Sequence, residues 1–255
     1  MTVWVAREGD QGPMVLLLHG LGATGAVWNG TVARLHERER VITVVVDLPG
    51  HGSSAWQPPY SVGGMAAAVT PLVHDAGLLH VIGHSLGVYV GLALASSWFN
   101  CTVASVTGIG PKVTWSDADF ARMRELAQRP ARFHPTATEA LERYRRASGL
   151  DVAIAPDVAI LDRGTVATPE GHRLAADPAT FAVGAPSFAG LLGLVRCPVV
   201  LARGEHDGMV SAAELRDCLP GAVELPGLGH NAHVESPAAI VGLFDAVRMQ
   251  ASHRE

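Results

Sequence analysis

Short runs that are apolar at nearly every position and often β-branched recur at residues 15–18, 41–46, 78–82, 103–106, 199–201 and 222–225. Strands exposed on one face alternate apolar with polar, whereas continuous apolar runs belong to strands covered on both faces. Stretches with helical spacing lie between them, at 27–37, 62–76, 86–99, 212–218 and 237–250. Alternating strands and helices of this kind predict an α/β fold with a doubly wound, mostly parallel sheet.

The rhythm stops after Pro111, and roughly eighty residues pass before the next buried strand, a gap too long for a plain connection. We read residues 112–194 as an inserted helical cap on a core made of residues 1–111 and 195–255. Within the insertion, Ser116 and Asp117 can cap a helix that runs to Gln128 before Pro130. A second amphipathic helix is predicted from Thr136 to Ser148, ahead of Gly149; residues 150–187 give no clear pattern. There are no internal repeats and no linker that would separate independent domains.

Composition narrows the class. With 48% apolar residues, 17% charged, and 28 Gly and 16 Pro dispersed along 255 residues, the chain is a folded globular protein rather than a disordered or fibrous one. A formal net charge of −5 leaves no cationic surplus for a phosphate backbone, so nucleic acid is not an expected partner. Of the 19 basic residues only Lys112 is lysine. Cys101, Cys197 and Cys218 form no disulfide framework or zinc spacing, which fits reduced thiols in a cytoplasmic protein. The first residues lack the charged and apolar blocks of a leader, and no run reaches the roughly 18 apolar residues of a membrane span. Oligomeric state is not written in the sequence.

Two glycine patterns compete for the chemistry. Gly20-x-Gly22-x-x-Gly25 follows a strand, precedes a helix, and is followed by a second strand ending in Asp47, which imitates a dinucleotide fingerprint. Gly83-His84-Ser85-Leu86-Gly87 follows another strand directly and opens an apolar helix. A strand that turns at once into a helix forces its turn residue into a strained backbone and lifts the Ser85 hydroxyl clear of the sheet. Gly83 and Gly87 supply the missing bulk, and the helix N-terminus offers the N–H of Leu86 to a developing oxyanion.

A serine hydroxyl needs a base, and the base needs an acceptor that holds its tautomer; on this kind of sheet they follow in the order serine, acid, histidine. The strand at 199–201 leads to Asp207 and the strand at 222–225 leads to His230. Glu205 competes for the acid and His233 for the base. The dinucleotide reading weakens on its own terms: Gly108 stands where a Tyr-x-x-x-Lys pair ending at Lys112 would need its tyrosine, and Lys112 follows Pro111 rather than the glycine of a phosphate loop.

Taken together, His19-Gly20, the segment Asp47 to Ser54, the Gly83–Gly87 elbow, Gly204 to Asp207, and Gly229-His230 resemble the α/β-hydrolase superfamily. The resemblance implies a second oxyanion N–H from Leu21, a capped serine hydrolase acting on a carboxylic ester or related small acyl substrate, and no cofactor. The same fold with the same triad also serves carbon–carbon bond hydrolases, cofactor-free haloperoxidases or perhydrolases, and slow-hydrolysing ligand receptors.

The remaining candidates read as supports. His19, Asp47, His51 and His84 are expected to anchor loops; Ser53 and Ser54 to cap turns; and His36, His74, His80 and His253 to be solvated. The pair His230-x-x-His233 lacks a third ligand, so no metal is expected. Lys112 and Trp115 are possible substrate contacts, and Phe120, Met123 and Leu126 have the spacing of a helix face that packs or lines a pocket.

Overall fold

The computed structural model describes residues 2–150 and 158–252. The six predicted apolar runs all form strands: β2 (Met14–Leu18), β3 (Ile42–Asp47), β4 (Leu79–His84), β5 (Val103–Ile109), β8 (Val199–Gly204) and β9 (Val223–Leu225). A strand missed by the sequence reading, β1 (Trp4–Glu8), pairs antiparallel with β3 at the edge and completes a seven-stranded sheet. Its alternating, half-exposed pattern is that of an edge strand and carries no continuous apolar run. The order is β1-β3-β2-β4-β5-β8-β9, and every pair after the first is parallel.

Alternate residues of each central strand enter opposite cores. Leu16, Leu18, Val44, Val46 and Val81 pack with α2 (Val62–Val69), α3 (Leu86–Leu94) and α8 (Ala212–Cys218) on one face. Val15, Leu17, Val45 and Ile82 pack with α1 (Asn29–Arg38) and α10 (Pro237–Ser252) on the other. With both faces covered, the strands have no solvent-facing side, which is why they lack a regular apolar–polar alternation.

Two helices are shorter than their apolar patterns. The one at 62–76 stops at Val69, where Thr70–Leu72 tightens into a 3₁₀ turn containing Pro71. The one at 86–99 stops at Leu94, after which the Ser96 hydroxyl accepts the Trp98 N–H and Asn100 turns left-handed at φ 51°. His80 also departs from expectation. It shares the Ile82 face of β4, is buried, and sits 2.7 Å from the Ser105 hydroxyl with its ring edge-on to Phe244 of α10. His36 is half-buried against Thr43, and His74 is exposed. His253 lies outside the described residues.

Between β5 and β8 lie α4 (Asp117–Ala127), α5 (Ala137–Ser148), α6 (Val158–Asp162) and α7 (Phe188–Leu194). Ser116 and Asp119 form a reciprocal cap on α4, Thr136 caps α5, and Gly149 ends α5 at φ 71°. The segment is not purely helical, since β6 (Thr165–Thr168) and β7 (Gly171–Leu174) form an antiparallel hairpin. Its strands are half-buried and four residues long, too short and mixed for periodicity to reveal. Arg163 ties this segment to the sheet, pairing with the buried Asp47 while its guanidinium lies 3.6 Å from the centre of the Trp4 ring. No helix among the described residues is long and apolar enough to cross a membrane.

Candidate active site

β4 ends at His84 and α3 begins at Leu86, so Ser85 alone reverses the chain at the carboxyl edge of the sheet. Its backbone lies at φ 49°, ψ −111°, a conformation that costs a serine about 1–3 kcal/mol and persists only where neighbours impose it. The neighbours are visible. The Ser85 N–H donates to the Ile109 carbonyl at 2.8 Å. A Cβ on Gly83 would sit 2.6 Å from the Gly87 carbonyl oxygen, and one on Gly87 would sit 2.1 Å from the Leu18 carbonyl oxygen. α3 therefore rests directly on β2, with its N-terminus beside Ser85.

The loop after β2 is held by two neutral imidazoles. His19 Nε2 accepts the Leu48 N–H at 2.9 Å, which places the ring proton on Nδ1, and Nδ1–H donates to the Gly20 carbonyl at 2.8 Å. With that carbonyl fixed, the planar trans peptide turns the N–H of Leu21 the opposite way. His51 Nε2 accepts the Gly22 N–H at 3.1 Å. Burial lowers the pKa of His19 and takes that of His51 down to about 3, so both rings stay uncharged. Among the described residues, neither the Leu21 N–H nor the Leu86 N–H donates a hydrogen bond.

This bonding fills the dinucleotide-like loop with protein. Asp47 is fully buried, accepts the N–H groups of Gly25 and Ser53, and pairs with Arg163, so no carboxylate oxygen is left for a ribose. Ser54 does not cap a turn: its hydroxyl bridges the Asp47 carbonyl and the Trp4 N–H, fastening β1 to the end of β3.

The loop after β8 presents Asp207, 5% exposed, with Oδ2 2.9 Å from His230 Nδ1 and Oδ1 accepting the Met209 N–H at 2.7 Å. An ionised carboxylate only accepts, so Nδ1 carries the proton and Nε2 is left as a base. Glu205 instead faces solvent and accepts the Gly227 N–H. α8 is capped by Ser211 and Glu214, so Asp207 is not needed there. Sequence reasoning missed Arg203. Its buried guanidinium donates to the carbonyls of Val210, Glu205 and Asp207 and pairs with Glu224, stiffening the loop that holds the acid. An arginine in a strand otherwise apolar was the available signal.

Two further imidazoles pack behind this pair. His84 Nε2–H donates to the His230 carbonyl at 3.0 Å, and its ring lies 4.6 Å from that of His230 and 4.2 Å from that of His233. His233, the competing base, is wholly buried against Trp28, and burial takes its pKa down to about 3. It lines no part of the cavity described next.

Ser85 and His230 line one cavity of about 700 Å³ together with Leu21 and Leu86. No hydrogen bond joins the Ser85 hydroxyl to His230 among the described residues. Trp115, Phe120, Met123 and Leu126 line the same cavity, so that face of α4 looks onto Ser85's space. Lys112 lines it too, but its ammonium lies 3.4 Å from Asp119 and 5.3 Å from the Trp115 ring centre. The Trp115 indole N–H donates to the Lys112 carbonyl and to the Tyr89 hydroxyl. Phe181, Val183 and Met209, none of them in a sequence motif, complete the apolar lining.

The chain is 44% identical over 99 residues to the pimeloyl-[acyl-carrier protein] methyl ester esterase of Aeromonas hydrophila, which is 38% of this chain and 37% of that one. It is 31% identical over 173 residues to lipase LipV of Mycobacterium tuberculosis, 66% of this chain and 64% of that one. These matches span from about a third to just under two thirds of the relatives' own lengths. The structure of E-2-(acetamidomethylene)succinate hydrolase superposes with a TM-score of 0.78 at 25% identity, covering 95% of this chain and 93% of that one. Residues 15–243 match the model of the alpha/beta hydrolase family, and the chain belongs to that family.

Proposed function

We propose that this protein hydrolyses a carboxylic ester or related acyl substrate through an acyl-enzyme on Ser85. The observation that carries the reading is the contact between Asp207 Oδ2 and His230 Nδ1, at the edge of a cavity that the strained Ser85 also lines. His230 Nε2 takes the hydroxyl proton as Ser85 Oγ attacks the carbonyl, and Asp207 stabilises the imidazolium that forms. The N–H groups of Leu21 and Leu86 receive the oxyanion, each worth about 3 kcal/mol in sites of this type. His230 returns the proton to the leaving group, then activates water to release the acid. Catalytic contacts are often long without substrate and tighten when it binds. Residues 112–194 act as a cap that shapes the acyl pocket through Trp115, Phe120 and Met123.

The curated relatives named esterase and lipase support an ester as the substrate. Intact-mass analysis after treatment with a fluorophosphonate tests the assignment. Wild type should gain one adduct, Ser85→Ala should gain none, and its turnover of p-nitrophenyl esters should fall by several orders of magnitude with an unchanged melting temperature. Folded wild type that stays unlabelled would sink the reading.

A further inference from the structure

A second cavity, of about 470 Å³, adjoins the first and shares Leu126, Arg146, Ala147 and Phe181 with it. Five arginines line this space: Arg129, Arg132, Arg143, Arg146 and Arg173. Among the described residues, no aspartate or glutamate lines it. Arg129 is paired with Glu125 at 2.6 Å, and the Arg173 guanidinium is stacked 3.9 Å over the Trp56 ring. Arg132, Arg143 and Arg146 have no ion pair among the described residues. His134, only 7% exposed, also lines the cavity, and its Nε2 has no hydrogen-bond partner among the described residues. The concentration is local: residues 120–150 hold seven arginines and three glutamates in a chain whose net charge is −5.

Arg132, Arg143 and Arg146 are exposed at this cavity with no ion pair among the described residues, and an anion with more than one charge is attracted to all three at once. Guanidinium forks match phosphate oxygens in pairs, and a phosphate monoester carries about −1.5 to −2 at neutral pH where a carboxylate carries one charge. The walls between the arginines, including Leu126, Leu174 and Phe181, are apolar and suit a carbon chain leading to the charged group. On the hydrolase reading above, Phe120 and Met123 of α4 take the acyl chain, and the adjoining arginine cavity is assigned to the other side of the scissile bond.

We propose that this cavity binds a phosphate carried on the leaving group, so that the substrate is an acyl ester or thioester of a phosphorylated alcohol or thiol. The proposal rests on the hydrolase reading above and specifies its substrate class. Its test uses two butanoyl thioesters differing by one group, those of pantetheine and of pantetheine 4′-phosphate. Wild type should prefer the phosphorylated thioester at least tenfold in kcat/KM. In Arg132→Gln/Arg143→Gln, which keeps the side-chain stems, that ratio should fall to near one, with circular dichroism melting confirming the fold. Inorganic phosphate should compete with the phosphorylated thioester alone.

Equal kcat/KM for the two thioesters in wild type, or a preference untouched by the double substitution, overturns the proposal. Competition by inorganic phosphate without any preference between thioesters assigns the site to a free anion and equally overturns it. If neither thioester turns over and Ser85 stays unlabelled, the hydrolase reading fails instead. Calorimetric titration of Ser85→Ala with pantetheine 4′-phosphate against pantetheine then still decides the site: tighter binding of the phosphorylated form supports it, and equal binding overturns it.

Discussion

An imidazole can take a serine proton only while its other nitrogen holds a proton in place, and Asp207 is positioned to do that for His230. Asparagine is nearly the same size but can donate, so Asp207→Asn should favour the wrong tautomer. The expected result is a fall in kcat of about 10⁴ with little change in KM or melting temperature, measured with a p-nitrophenyl ester. Gly110 guards the same contact from the opposite side. A Cβ there would lie 2.9 Å from Asp207 Oδ2 and 3.1 Å from His230 Nδ1, at a φ of +57°. Ser85, Asp207 and His230 were legible because each follows a recognisable strand end. Arg203, which bonds the backbone of the acid loop, was not, because only folding brings its guanidinium to those carbonyls.

α3 is the element that the proposed chemistry depends on, and it is buried at every position from Leu86 to Leu94. Its approach to β2 depends on Gly87, so Gly87→Ala should push a methyl into the Leu18 carbonyl and cost about 3 kcal/mol, read as a lower urea midpoint. α4 makes a contrasting case. It buries no residue completely, and its reciprocal cap holds its first turn. Ser116→Ala should weaken that turn by about 1 kcal/mol. KM for longer acyl chains should rise because Phe120 and Met123 lose their support, while the global melting temperature stays close to wild type. Both helices were visible in the sequence, α3 from its apolar run and α4 from Ser116 and Asp117, although the residue that completes the cap is Asp119. The β6–β7 hairpin was not, because four half-buried residues a side carry too little pattern.

For the molecule as a whole, acid is the weak point. Burial holds the pKa of His19 and His84 below the ordinary value, that of His51 and His233 to about 3, and that of His80 to about 4. The unfolded chain protonates these five rings below about pH 6.5, while the native state leaves them neutral. Protons therefore bind the unfolded state in excess between pH 6.5 and about 4, and stability falls as pH falls through that window. Each ring contributes up to about 1.4 kcal/mol per pH unit. Urea midpoints should be flat from pH 8 to 7 and drop steeply from 6.5 to 5; a flat profile through pH 5 would show that these rings are not held neutral.

The sequence by itself determined the parallel sheet, the elbow at Ser85 and the order in which Asp207 and His230 follow it, since each is a local pattern: an apolar run, glycines where bulk cannot fit, a polar residue at a strand end. Tertiary structure decided what depends on through-space neighbours. It made His80 a core residue, consumed Asp47 in loop bonds, placed His233 behind the site rather than in it, and brought Arg173 to the cavity that the arginines of residues 129–146 line. Periodicity records which face of an element is apolar, whereas the partner of a polar group is chosen by how the elements dock.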